Sequence, residues 1–271
     1  CNLASINLLQ FKKDDSSFDI KAYEYTTRLW TLTLEISVMM AQFPSKEIAQ
    51  KSYEYRTLGL GYANIGGLLM SWGIPYDSDQ GRSICAALTS IMTGTSYATS
   101  AEIASELGPF PKYKENAQSM LKVIRNHKRA SEGKTRGYED LSINPVPLMS
   151  SDCPDQNLIT AAKDAWTKAL SLGEKNGYRN AQATVIAPTG TIGLVMDCDT
   201  TGIEPDFAMV KFKKLAGGGY FKIINRVVPE ALEYLGYDAN QINDMQKYAV
   251  GAGSLKDCQA ISHNALISKG F

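Results

Sequence analysis

The strongest constraint on this chain is the run Ala183-Thr184-Val185-Ile186-Ala187-Pro188-Thr189-Gly190-Thr191-Ile192-Gly193. Its β-branched start favours a buried strand. Pro188 ends that strand, because proline has no amide to give to a ladder. A small, hydroxyl-bearing turn follows, and the spacing predicts a short helix over 191–195. Such a turn presents backbone N–H groups and threonine hydroxyls where a helix begins, which is a physical recipe for holding a phosphate. The plainer reading is an ordinary strand-to-helix turn with a threonine cap. Spacing alone leaves both open.

Composition narrows what such a turn can serve. The 271 residues are 44% hydrophobic and carry no net formal charge, enough for one large domain or two modest ones. Charge balance argues against a nucleic-acid partner. No apolar run reaches the roughly 18 residues a membrane span needs. The most apolar long segment, 29–43, is interrupted by Glu35 and Gln42. The cysteines (Cys1, Cys85, Cys153, Cys198 and Cys258) are scattered, with no Cys-x-x-Cys, and the only histidines are His127 and His263. No metal site is expected from that set, and a reducing, cytoplasmic setting fits it best. The chain opens on Cys1 with no leader and reads as a piece of something longer.

Taken in order, residues 1–8 look like a strand with Leu3, Ile6 and Leu8 apolar. A helix is predicted over 18–43, broken by Pro44, with Ser45 able to cap a short turn after it. A short strand is expected near 57–60. Gly59-x-Gly61 there lacks the full Gly-x-Gly-x-x-Gly pattern and reads as close packing of a strand, turn and helix. Residues 79–107 form a long helix rich in small residues, hence central, and Gly108-Pro109-Phe110-Pro111 stops it. Further helices are expected over 116–130 and 158–175, separated by an irregular excursion at 131–157. Residues 184–187 supply the third strand, and the strands should run parallel in an α/β fold. Helical patterns near 225–235, 239–249 and 255–269 close the chain. Cys85, Cys153 and Cys258 read as buried small hydrophobes.

Three stretches together resemble the catalytic large subunit of ribonucleotide reductases, most like the class II, adenosylcobalamin-dependent branch. They are Cys1-Asn2-Leu3-Ala4-Ser5-Ile6-Asn7-Leu8; Tyr178-Arg179-Asn180-Ala181-Gln182 running through the Pro188 to Gly193 turn; and Met196-Asp197-Cys198-Asp199-Thr200-Thr201-Gly202-Ile203-Glu204-Pro205-Asp206-Phe207, continuing to Gly219. The resemblance covers the whole chain and implies a ten-stranded α/β barrel of two five-stranded halves. Residues 1–271 would be part of the second half, incomplete alone. It implies that Cys1 is one of a redox-active pair oxidised to a disulfide as the ribose 2′-hydroxyl leaves as water. It implies that Pro188, Thr189, Gly190, Thr191 and Ile192 bind the substrate's phosphates, with Ala4 and Ser5 as candidate substrate-pocket residues.

The same resemblance implies adenosylcobalamin as cofactor and a ribonucleoside diphosphate as substrate. It also implies a dithiol reductant such as thioredoxin and a homodimeric whole enzyme. One departure is informative. The family's Asn-x-Cys-x-Glu motif, which carries the radical cysteine, does not occur here. The resemblance places it, the other redox cysteine and the allosteric specificity site in the missing N-terminal half, so the piece alone should be inactive. The competing reading is a generic phosphate- or nucleotide-binding α/β module without radical chemistry.

Overall fold

The computed structural model of the chain describes every residue except Cys1, Leu215, Ala216, Asp257 and Gln259, and only the backbone of Lys213, Phe221 and Ile223. It divides into two compact units, Cys1–Leu69 with Ile74–Pro205, and Met70–Gly73 with Asp206–Phe271.

The first unit is built on parallel strands. β1 (Leu3–Asn7) pairs with β2 (Gly59–Ala63), Leu3 opposite Gly59 and Asn7 opposite Ala63. Every residue of β2 is buried, as parallel strands covered on both faces require. The segment leading to the turn joins as a single parallel bridge between Thr184 and Leu60. Around it the Leu60 N–H donates to the Ala183 carbonyl at 3.1 Å and the Val185 N–H donates to the Leu60 carbonyl at 2.9 Å. The strand expected over 184–187 therefore contracts to a bridge, and the one near 57–60 moves to Gly59–Ala63. The cause is local. A Cβ on Gly61 would lie 2.3 Å from the Val185 carbonyl oxygen, so the chain leaves the edge of β2 and lies against Gly61. Glycine at this position is what permits the approach. Leu8, expected at the end of the first strand, belongs instead to a 3-10 turn, Leu8–Phe11.

Helices cover this sheet. α1 (Ile20–Met40) starts where the Asp19 carboxylate accepts the Ala22 N–H at 3.0 Å. α2 (Lys46–Tyr55) starts at the Ser45 cap, and α3 (Ile65–Ser71) comes directly after β2. α4 (Asp79–Leu107), capped by Ser78, spans the range the sequence predicts. α6 (Gln156–Asn176) packs on it, and α5 (Tyr113–Ser131) packs on α6, around Ala98, Ala101, Ile124, Trp166, Ala169 and Tyr178. The small residues of α4 set that packing: a Cβ on Gly94 would come within 2.8 Å of the Ala165 Cβ. Between α5 and α6 no helix or strand is described, and Arg125 ties that stretch down by donating to both oxygens of Glu139 at 2.6 and 2.7 Å. α7 (Gly190–Val195) is the short helix after the Pro188 turn. Among the described residues no helix is long and apolar enough to cross a membrane.

The second unit holds an antiparallel pair, β3 (Val210–Lys214) and β4 (Tyr220–Ile224), with Val210 opposite Ile224. The sequence reading assigned no strand there. Its side-chain pattern is obscured by the lysines, while the glycines at 217–219 supply a turn. Asp206, its side chain 1% exposed, pairs with Lys211 at 2.8 Å and accepts from Asn225. α8 (Val228–Tyr234), α9 (Ala239–Val250) and α10 (His263–Ser268) complete the unit. α9 begins with a capping box between Asp238 and Gln241. The helix expected over 255–269 shortens to α10.

Candidate functional site

The segment 178–193 is fastened at its root by a buried ionic knot. Glu35, on α1, is 3% exposed and has its oxygens fully engaged. Its Oε1 accepts from the Arg56 Nε at 2.8 Å and from the Arg179 Nε at 2.8 Å, and its Oε2 accepts from the Asn180 Nδ2 at 2.6 Å. Asn180 is fully buried; it donates also to the Arg56 carbonyl at 2.9 Å and accepts from the Ser100 hydroxyl at 2.8 Å. Arg179 further donates to the Leu107 and Gly108 carbonyls at the end of α4. A guanidinium held this way is a structural cation. Arg179, the nearest cation before the turn, is therefore committed inward and not available to a phosphate.

The tip of the segment is the opposite. Pro188, Gly190, Thr191 and Ile192 are exposed, and only Thr189 is buried. Thr189 sits at φ 54°, in the left-handed region that is uncommon for a β-branched residue. Its hydroxyl makes no helix cap; it donates to the Ala187 carbonyl at 2.9 Å and accepts the Gly202 N–H at 3.0 Å. Glycine is the residue expected to take up a left-handed conformation in such a turn. In the structure the positive φ falls on Thr189, and a Cβ on Gly190 would meet nothing within 4 Å. Gly190 opens the α7 backbone to the outside. The first amides of α7 have no partner inside the helix, as at any helix start. With six residues, α7 contributes little dipole, so donors rather than field are what the turn offers an anion.

Two asparagines, unremarked in the sequence reading, fix what lies behind the turn. Asn7 ends β1 and Asn64 comes directly after β2, so both lie at the carboxyl ends of parallel strands, where open α/β sheets place ligands. Asn64 is fully buried at φ 73°. Its Nδ2 donates to the Asn7 Oδ1 at 3.0 Å, and its Oδ1 accepts the Asp199 N–H at 3.2 Å and the Thr200 N–H at 3.1 Å. The Asn7 Nδ2 donates to the Met196 carbonyl at 3.0 Å. The available signal was an asparagine directly after an aromatic strand and just before Gly66-Gly67, because Asn is the non-glycine residue that best tolerates a left-handed corner.

The remaining expected residues are less connected. Cys1 lies outside the described residues. Ala4 and Ser5 are in β1, 7% and 8% exposed, with Ser5 opposite Gly61. Cys153 is buried, as expected of a small hydrophobe. Cys85 is only half-buried; its Sγ lies 3.3 Å from the Tyr62 hydroxyl, which bonds Thr89 at 2.7 Å. Burial pushes the Cys85 thiol up, keeping it protonated and a poor nucleophile. Cys85 also lines a cavity of about 600 Å³ walled by residues such as Leu69, Tyr76, Val146, Leu148 and Trp166, and none of residues 188–192 reaches it. His127 closes one side by stacking flat on Trp166, with ring centroids 4.8 Å apart. Among the described residues no group of His, Cys, Asp and Glu could hold a metal ion.

Comparison with known proteins gives these features a family. The family of the ribonucleotide reductase barrel domain matches residues 1–266. A vitamin B12-dependent ribonucleotide reductase of Agrobacterium fabrum is 69% identical over the whole of this chain and 21% of its own length. One from Streptomyces avermitilis is 46% identical over 97% of this chain and 26% of its own length. The ribonucleoside-diphosphate reductase subunit alpha of Chlamydia pneumoniae is 26% identical over 97% of this chain and 23% of its own length. The chain thus spans about a fifth to a quarter of the length of these curated relatives. With a match across nearly all of its residues, the chain belongs to the ribonucleotide reductase family, within its barrel domain.

Proposed function

We propose that residues 1–271 are part of the catalytic barrel of a B12-dependent ribonucleotide reductase, which converts a ribonucleoside diphosphate to its deoxyribonucleotide for DNA synthesis. The single observation that supports it most is the family match over residues 1–266, in a chain whose exposed turn stands at the carboxyl ends of parallel strands. In this reading Pro188, Thr189, Gly190, Thr191 and Ile192 form the phosphate loop. Gly190, Thr191 and Ile192 meet the phosphate oxygens with backbone N–H groups, and the exposed Thr191 adds its hydroxyl. Thr189 shapes the loop, since its own hydroxyl is engaged with Ala187 and Gly202. Ala4 and Ser5 line the substrate pocket from β1.

Cys1 supplies one of two thiols. Their joint oxidation to a disulfide gives the two electrons and two protons of the reduction: the ribose 2′-hydroxyl leaves as water and a hydrogen takes its place on the carbon. A dithiol such as thioredoxin then restores the pair. The partner cysteine, the radical cysteine and the rest of a homodimeric enzyme lie outside these residues, so this piece alone is inactive.

Adenosylcobalamin would start the radical in the whole protein. The cavity near Cys85 has the size of a drug-like molecule, with Trp166 and His127 across one side, and is too small for a corrin with its nucleotide tail.

Cys1→Ser in the whole protein tests the reading. Multiple turnover with a dithiol reductant should be abolished. Undiminished steady-state deoxyribonucleotide output would overturn the assignment of Cys1.

A further inference from the structure

We propose that Asn64, working through Asn7, is a positioning residue for the turn 188–192, a role that rests on reading that turn as the phosphate site. A fully buried amide must find partners or cost free energy. Asn64 meets that need by addressing loop backbone: its Oδ1 takes the N–H groups of Asp199 and Thr200, and its Nδ2 goes to Asn7, whose own Nδ2 donates to the Met196 carbonyl. The two side chains therefore hold residues 196–200 against the ends of β1 and β2.

From Thr200 the circuit runs forward. Two residues on, the Gly202 N–H donates to the Thr189 hydroxyl, which donates to the Ala187 carbonyl. This closes a hydrogen-bonded path from the strand ends to the residue in the left-handed conformation that aims the α7 amides. Thr200 can sit so close because Gly66 has no side chain: a Cβ there would be 2.7 Å from the Thr200 Cγ2. Without Asn64, residues 196–202 lose their fixed distance from β2, and Thr189 loses the support that holds it at positive φ. Donors aimed at an anion are effective only when held in place, and small displacements are expensive.

Asn64→Gly is the informative variant, because glycine keeps the left-handed backbone at no steric cost and removes only the side chain. Binding of inorganic pyrophosphate and of an unphosphorylated ribonucleoside is measured by calorimetry on the whole protein. Pyrophosphate affinity should fall about tenfold, with nucleoside affinity unchanged. Asn7→Ala, which removes the Met196 tie, should weaken pyrophosphate about threefold and covers the case in which Asn64→Gly does not fold. A purely structural role would lower the unfolding temperature and leave this selectivity unchanged. If both asparagine variants bind pyrophosphate normally while Thr191→Val does not, the positioning role is overturned and the phosphate site stands. If Thr191→Val and Gly190→Val also bind it normally, the phosphate site itself is misplaced and the proposal falls with it.

Discussion

The root and the tip of segment 178–193 solve opposite problems. At the root, Glu35, Arg56 and Asn180 are almost wholly removed from water and Arg179 is partly so, and Glu35 gathers two guanidiniums and an amide. At the tip there is no charge, and four of residues 188–192 are exposed. Only about a dozen residues separate the extremes. Charge in this segment is used for anchorage, where a low dielectric makes pairing strong and loss of a partner severe. In the proposed reading, recognition falls to neutral donors, which can hold an anion without closing on an internal carboxylate when it is absent.

Breaking the root should do the most damage. Glu35→Ala would leave the buried Arg56 guanidinium and the partly buried Arg179 without their carboxylate, and denaturant unfolding should show a loss of about 3–5 kcal/mol. Glu35→Gln keeps an acceptor oxygen and should cost less. Equal losses would mean the knot is packing and not charge. Next comes the tip. Thr191→Val removes an exposed hydroxyl and should leave unfolding unchanged, while substrate binding measured by calorimetry weakens by about 1.5–3 kcal/mol, roughly one to two orders of magnitude.

Thr189→Val probes the same contrast from within the turn. It strands the Gly202 N–H, so about 1–3 kcal/mol should be lost from stability, read by thermal unfolding, even without ligand. If Thr189→Val and Thr191→Val instead behaved alike in both assays, the division between shaping and binding threonines would fail. Gly61→Ala puts a methyl against the Val185 carbonyl and should also cost about 1–3 kcal/mol, seen in the same unfolding assay. Gly190→Ala should change least. Its new methyl points into open space on a helix, so stability should stay level or rise by up to about 1 kcal/mol. Any loss would be confined to pyrophosphate affinity.

Elements whose signals are local were legible in the chain alone. Small-residue spacing and the Gly108-Pro109 stop placed α4 at its full length, the Ser45 cap marked where α2 begins though only a short turn was expected there, and Pro188 followed by small residues placed the turn and α7. The alternation around Leu3 to Leu8 found β1 to within a few residues. These features are written in side chains that act on their own neighbours, through caps, missing amides and period.

Other features depend on partners far away in the chain, and only folding settles them. That Arg179 turns inward is due to Glu35, 144 residues earlier, and no reading of Arg179 in its own context could reveal it. Nothing near Asn64 announces that its carbonyl oxygen serves Thr200, 136 residues later, or that Thr189 rather than Gly190 carries the left-handed strain. The strand at 184–187 shrank to a bridge because Val185 meets Gly61 face-on. Burial explains the division. Once a polar group is out of water it must take whatever partner the fold brings, and that choice is made in three dimensions.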